Sequence, residues 1–550
     1  MIQPDLDALY ALAIVGDEDY RAIRRGFLAL AYVFADPDYC RYEDFWMELD
    51  APEEGVLEAM RDEMGDCPVP PNFAAEFFTT TAVMGELFDR HPMHETWRAF
   101  GDEMMERYLE RWFEQDGTYH ESINYQNHCF NELLCQIVPA QASGRIDYAS
   151  NPRVRGSFEH FLAVRMPLLS EHLPPLDDPG RVCGAGDLSR RSPLPACGNS
   201  GNDGNEQLWG GQLSVGAWLY ADRDPAFASA LMTAWREGGK VVLEHEHPLL
   251  TLATLVPSIP SALPAPRSAH RLSLGIVSRG ALSTGEPLWS LFRAGRATHH
   301  MDFDQGNLHI AAGERVLLGD HGYHTIDGEG RRIGGAATWL HNTITYGCER
   351  DNSSGYTGLE EAPEPVFVHL GDAFDYVVHR MTTTNLRRLD RHPYFSLIPI
   401  AAQVHVRHML FVKSGYWVIW DVFEKGAEQT TFWLHPTRPM KALGYGGFRA
   451  GEEGEIGLSV QFVLPSKLNV IENRQSGPLW SFALREPSGR PYLAVLAATR
   501  SADGFYARYD DANRRLRISL DGVSDVVDLP DAGAAQAPLI TRDVERLKLH

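Results

Sequence analysis

PSIPSALPAPRS, residues 257–268, divides the chain into two halves with different sequence patterns. A stretch this rich in proline cannot continue a helix and suits a boundary between domains. Before it, apolar residues recur at helical spacing, as in Ile23, Phe27, Leu30, Val33 and again in Trp97, Phe100, Met104, Tyr108, Trp112. After it, short runs dense in β-branched and aromatic residues dominate, such as FDYVVH (374–379) and HVRHMLFVKSGYWVIWDVF (405–423), separated by Gly, Asp and Asn turns. The expectation is an α+β chain: a helical domain over residues 1–256, a connector over 257–268, and an antiparallel β-sandwich or equivalent layered β-domain over 269–550. One long segment of the helical half, LPPLDDPGRVCGAGDLSRRSPLPACGNSGNDG (173–204), is too rich in Pro and Gly for regular structure and reads as a lid or disordered loop. Its GAG lacks the strand before it and helix after it that a dinucleotide site needs.

Composition narrows the function. With 550 residues, 44% hydrophobic and 23% charged, the chain can bury sizeable cores in more than one domain. A formal net charge of −24 argues against nucleic acid as a partner, while leaving room for a polyanionic substrate in a cleft of locally opposite sign. No run approaches the roughly 20 apolar residues that span a bilayer, so no membrane partner is expected. The first residues, MIQPDLDALYALAIVGDEDY, lack a basic n-region and a small-residue cleavage site, which favours a cytoplasmic location. The seven cysteines are scattered without CxxC spacing, as expected in a reducing compartment, although Cys183 and Cys197 bracket one loop and could pair. Oligomeric state is not encoded in any pattern we recognise.

Three stretches gather chemistry-bearing residues. DGTYHESINYQNH (116–128) breaks one helix at Asp116-Gly117 and opens the next with Tyr119, His120, Glu121, Ser122, Asn124, Tyr125, Gln126 and His128. Ser122 there reads equally as a helix cap. PVPPNFAAEFFTTT (68–81) sets Asn72 just after paired prolines, where asparagine is also a favoured cap. THHMDFDQGNLHIAAGERVLLGDHGYH (298–324) crowds His299, His300, His309, His321 and His324 with Asp302, Asp304 and Asp320 in what otherwise reads as β-structure.

Taken in order, the helical half followed by a β-sandwich, Glu121-Ser122-x-x-Tyr125, HHMDFDQG, LLGDHGYH and HNTITYG (341–347) resemble the heparinase II/III family of polysaccharide lyases over roughly residues 60–435. The resemblance implies an incomplete (α/α) toroid, either unusually short or missing its beginning since only 71 residues precede Asn72, joined to an antiparallel β-sandwich. It implies β-elimination on a uronic acid polysaccharide or oligosaccharide of alginate or glycosaminoglycan type. Asn72 would neutralise the C5 carboxylate, Tyr125 would remove the C5 proton and protonate the departing O4, and His300 would assist from the β-domain. The enediolate charge of such a reaction needs preorganised donors. A phenol with pKa of about 10 needs nearby positive charge or hydrogen bonds to act as a base, which His300 and His128 would supply.

Some members of that family carry a histidine two positions before the Asp of the D-x-G turn. That histidine ligates a metal together with an Asp in L-x-D-x-G and a His in H-N-T. The matching positions here are Asp302, Asp320 and His341, which implies one structural Zn, in a set that also suits manganese or calcium. The alternative is that Asp320 and His341 only hydrogen-bond neighbouring strands. Glu121, Gln126, His128, Arg296 and Trp209 are the residues expected to bind substrate. Arg271 and Arg407 are further candidates for carboxylate contacts, and Trp209 and Trp218 serve a core equally well. His309, His321 and His324 receive no role. Two other classes stay open. A glycoside hydrolase would need an acid and base pair, for which Glu76 and Glu121 are the candidates. A noncatalytic carbohydrate-binding protein would keep the fold alone.

Overall fold

The computed structural model of the chain describes residues 16–34, 71–171, 190–197, 210–243, 248–262, 264–296, 302, 304–322, 324–326, 332–334, 338–346, 353–355, 364–388, 397–424, 429–477, 479–487, 489–531 and 536–542. Among them every α-helix ends by Ala253 and the first strand begins at Ala269, so the proline-rich stretch lies between a helical and a β-region. The helices are α1 (Asp17–Phe34), α2 (Pro71–Leu87), α3 (His94–Trp112), α4 (Ile123–Ala142), α5 (Pro152–Val164), α6 (Gly211–Tyr220), α7 (Pro225–Glu237) and α8 (Pro248–Ala253).

The helices pack through the faces that periodicity marks. In α4 the residues Phe130, Leu133, Leu134 and Ile137 are fully buried, and Tyr108 and Trp112 of α3 are buried with them. Gly101 of α3 lets that helix approach α2, since a Cβ there would stand 2.4 Å from the Ala82 side chain. Helix α1 forms as expected but presents a different face. Ile23 and Leu30 are exposed, while Ala31, Phe27 and Leu28 pack beside Met84 and Trp97. The apolar period fixes a helix, but not which flank of a broad stripe meets the neighbour.

The first β-sheet is antiparallel in the order β1 (Ala269–Arg271), β2 (Gly275–Ala281), β3 (Pro287–Arg293), β4 (Leu308–Ala312), β5 (Arg315–Leu318). Alternate residues serve two cores. Val277, Trp289, Leu291, Ala311 and Val316 join the helical core. Ile276, Leu288, Phe292, Leu308 and Ile310 join the core of the sandwich behind it. A nine-stranded sheet forms the other side of that sandwich, built around the long hairpin of strands Phe374–Arg388 and Leu397–Val412 with Tyr416–Phe423 and Tyr492–Thr499. A four-stranded sheet containing Thr430–Leu434 and Leu479–Glu486 lends Phe432, Leu434, Phe482 and Leu484 to the same core.

The expected sandwich acquires one more layer. Val378, Leu410, Val412, Val418 and Trp420 face away from it and pack on the four-stranded sheet of residues 505–542 through Leu516, Ile518 and Val527. Strands such as MLFV and YWVIW are apolar without interruption, and such strands need both faces covered. Helices, inner sheet, central sheet and outer sheet therefore stack in that order, which leaves the inner sheet as the seam between the helical and β-regions.

Candidate active site and metal centre

The turn between α3 and α4 is built by its own backbone. Glu114 N–H donates to Thr118 O at 2.8 Å and Gly117 N–H to Glu114 O at 2.9 Å. Gly117 takes φ +77°, and a Cβ there would stand 2.1 Å from the backbone of Gly156 in α5, so only glycine lets the turn seat on that helix. Gln126 reaches back from α4: its side chain accepts from Tyr119 N at 3.1 Å and donates to Gly117 O at 2.8 Å. This corrects the expectation that Gln126 binds substrate, because its buried amide is committed to holding the turn. Ser122 occupies the backbone N-cap position of α4 without a side-chain capping bond.

The two tyrosines of this turn separate by environment. Tyr119 is fully buried, its hydroxyl 2.6 Å from that of Tyr108, and burial pushes both phenols well above their ordinary pKa. Tyr125 is half-buried, one turn before His128 on α4. His128 Nε2 lies 3.1 Å from Glu76 Oε1 on α2. At the far end Arg145, just beyond α4, donates to Glu86 at 3.1 Å. The two helices therefore run parallel, with starts beside starts. The sequence offset at the Glu76–His128 bond is 52, and that from Asn72 to Tyr125 is 125 − 72 = 53. Asn72 and Tyr125 each lie about one turn before that bonded pair on their own helix. Asn72 lies within the first turn of α2, which starts at Pro71, so it is not the cap. Its Oδ1 is buried with no hydrogen-bond partner among the described residues. Glu121 is buried against a small closed cavity lined also by Tyr119, His160 and Ser273, and Glu76 is tied to His128, so the two do not present an open acid–base pair.

The same turn carries the seam to the β-region. Asp116 Oδ2 accepts from Leu272 N at 3.0 Å, and Thr118 Oγ1 accepts from Ser273 N at 3.2 Å. Arg296 projects from the end of the inner sheet toward Glu114 at 3.4 Å and also meets Glu364. His120 lies 3.2 Å from Glu114 on the helical side. His120 first, and Arg296 with it, hold the Glu114 carboxyl below its usual range. Arg271 is largely buried, its guanidinium directed at Asp116. Arg407 is not a substrate ligand: it is fully buried, paired with both oxygens of Asp421 at 2.7 and 2.9 Å, and donates to Gly306 O and Asn342 O at 2.6 and 2.8 Å. Trp218 packs against the helical core. His299, His300, Trp209 and Cys183 lie outside the described residues, while Cys197 is a free, buried thiol.

Asp302, Asp320 and His341 come together as the motif spacing implied, all buried, with one ligand atom of each within 4.8 Å of the others. Arg407 joins two of their segments through Gly306 and Asn342, and Asn342 binds Asn307 and Gly319 as well. Asp320 accepts from Gly322 N at 2.8 Å, from His341 Nδ1 at 2.9 Å and from Asn307 Nδ2. Both oxygens of Asp302 and Nε2 of His341 are buried without a hydrogen-bond partner among the described residues, 3.9 Å apart at their nearest. Burial pushes Asp302 well above the usual carboxylate range. Burial also opposes the charges on the other two, but their pairing outweighs it: Asp320 is held well below its range, and His341 is raised to about 9. Asp304 is matched by Arg293 at 3.4 Å and His309 lies 3.4 Å from Asp320, which leaves Asp302, Asp320 and His341 as the mutually facing donors. That donor set, with unpartnered oxygen and nitrogen atoms aimed at one another, is able to hold a divalent ion.

No family model and no curated protein sequence matches the chain. Solved structures do. A heparinase III superposes with a TM-score of 0.57 at 15% identity, covering 81% of this chain and 63% of its own. The chain has a heparinase-type fold. A second heparinase III matches with TM-score 0.55 at 11% identity over 83% of this chain and 66% of its own. The heparan sulfate lyase HepC from Pedobacter heparinus matches with TM-score 0.57 at 13% identity over 94% of this chain and 83% of its own. The chain thus spans about two thirds of the length of the heparinase III structures. Within this heparinase-type frame, motif reading had no role for Arg293 or His309, and read Cys197 only as a possible disulfide partner. Arg293 donates to Ser273 O, Leu274 O and Gly295 O at 3.2, 3.1 and 2.8 Å, and so ties down one end of the segment that leads to Asp304. Cys197 Sγ lies 3.7 Å from Asp304.

Proposed function

We propose that the chain is a lyase that cleaves a uronic acid polysaccharide or oligosaccharide, of glycosaminoglycan or alginate type, by β-elimination, leaving a 4,5-unsaturated uronate end. The observation that carries this reading is a heparinase-type fold in which Asn72, its Oδ1 buried without a hydrogen-bond partner among the described residues, and the half-buried Tyr125 each lie about one turn before the Glu76–His128 bond that joins their helices. Asn72 meets the substrate carboxylate and favours the enediolate as charge moves onto it. Tyr125 takes the C5 proton and returns one to O4, and His300 works with it from the β-side. His128, held by Glu76, and Arg296, at the seam, would meet polar and acidic groups of the substrate. Glu121 lies beneath as support, and Trp209 offers a ring face for a sugar. The Asp302, Asp320, His341 group holds one Zn²⁺ that steadies the seam and takes no part in the elimination.

The test is ultraviolet absorbance of the purified chain with heparan sulfate, chondroitin, hyaluronan and alginate. A lyase creates the conjugated unsaturated uronate chromophore on at least one of them. Since one of the similar structures is a heparan sulfate lyase, that substrate is the first to try. New reducing ends without the chromophore would mark a hydrolase and overturn the reading.

A further inference from the structure

We infer that Asn307 is a positioning residue of the metal centre, fixing the orientation of the Asp320 carboxylate and its spacing from His341, an inference that rests on the metal reading above. Asn307 is buried and lies immediately before β4. Its backbone is pinned on both sides, the N–H donating to Asp304 O at 2.8 Å and the C=O accepting from Arg293 N at 2.9 Å, so the side chain is presented from a fixed point. The amide can face only one way. Its Oδ1 accepts from the backbone N–H of Asn342 at 2.9 Å, and because a main-chain N–H only donates, the oxygen must lie on that side and the NH₂ group on the other. Nδ2 then donates to Asp320 Oδ2.

Asn342, the residue after His341, closes a ring with it. The Asn342 Nδ2 donates to Asn307 Oδ1 at 3.1 Å and to Gly319 O at 2.7 Å, while its Oδ1 accepts from His435 N at 2.6 Å. Hydrogen bonds thus run from Asn307 to Asp320, along the chain to Gly319, across to Asn342 and back to Asn307. Asp320 and His341 stand on the two sides of that ring, and all of these side chains are buried. A histidine that ligates a metal hands its other ring nitrogen to a carboxylate or a similar acceptor, and ligating carboxylates are themselves hydrogen-bonded; such outer partners set the direction of the ligands. Here His341 Nδ1 meets Asp320 Oδ2 at 2.9 Å, which leaves Nε2 turned toward Asp302 at 3.9 Å. Asn307 holds the carboxylate on which that orientation depends.

Zinc(II) affinity of the whole chain, measured by competition with a coloured chelator, and the visible bands of bound cobalt(II) test this, with wild type beside Asn307→Ala. Wild type should take up one ion. Asn307→Ala should bind zinc ~10–100-fold more weakly, the usual loss when an outer partner of a ligand is removed, and should shift the cobalt bands because Asp320 is no longer held. A residue that only braces the fold would behave differently. Its loss would lower the Tm equally with and without zinc and leave affinity and bands as in wild type, and that result would overturn the role of Asn307 while leaving the three-residue centre standing. A wild type that takes up neither ion would overturn the metal reading and this inference with it. Should Asn307→Ala not fold, Asn307→Ser, which keeps a polar group at the position, is read by the same affinity and bands.

Discussion

At the residue scale, the resemblance singles out Asn72 and Tyr125, and the structure adds that each lies in the first turn of its helix, α2 and α4. The direction in which a neighbour points is harder to read. Gln126 follows Tyr125 directly, yet a one-residue step on a helix turns it inward to bind the 116–119 turn. His309 was invisible for a related reason, since a lone histidine in a strand carries no spacing signal until the fold brings Asp320 beside it. Asn72→Ala should lower kcat more than it raises KM, because its contact strengthens as charge moves onto the carboxylate; equal kcat with a raised KM would mean only ground-state binding. His160 gives a pH prediction. It is buried, and burial first, with Arg271, lowers its pKa to about 3. The folded state therefore resists a proton that the unfolded chain accepts near pH 6.5. Its contribution to stability is complete above that value and is lost as pH falls toward 3, at about 1.4 kcal/mol per pH unit. His160→Leu should flatten the pH dependence of urea unfolding between pH 6 and 4 by roughly one proton's worth; an identical slope in both proteins would contradict this.

At the element scale, periodicity located α1 and α3 and the β-runs at 374–379 and 405–423, while the contacts that set one element against another were not readable. α1 shows the limit: its stripe was visible, but Ile23 and Leu30 face out. Arg407 shows another. Among HVRHMLFV it looks like a strand-surface cation, but Asp421 lies opposite it in the register and takes it inside. Asp421 feels burial raising its pKa, yet Arg407, with His405, holds it down to about 2. Arg407→Leu strands that carboxylate and removes the donors to Gly306 and Asn342. We expect a loss of about 3–5 kcal/mol in chemical unfolding, and a loss under about 1 kcal/mol would show the pair to be dispensable.

At the scale of the whole molecule, the connector and the helix-then-sheet order followed from composition and period. The third sheet layer did not, because continuous apolar strands announce two buried faces without saying what covers them. The metal group sits at the seam of these layers, so removing a bound ion should loosen the molecule as a whole. Chelator is expected to lower the Tm and zinc to restore it, by about 2.7 kcal/mol of stability at a free ion concentration 100 times the Kd; a Tm indifferent to both would count against a structural ion. No described helix is long and apolar enough to cross a membrane. The central claim is that Asn72 on α2 and Tyr125 on α4 perform an elimination. Its most direct test is the rate of unsaturated uronate formation by Tyr125→Phe beside wild type, on whichever glycan wild type cleaves, with circular dichroism showing the same fold in both. The account predicts a fall of about 10²–10⁴-fold, the usual loss of a general acid–base group, whereas a folded Tyr125→Phe that eliminates at the wild-type rate would contradict it.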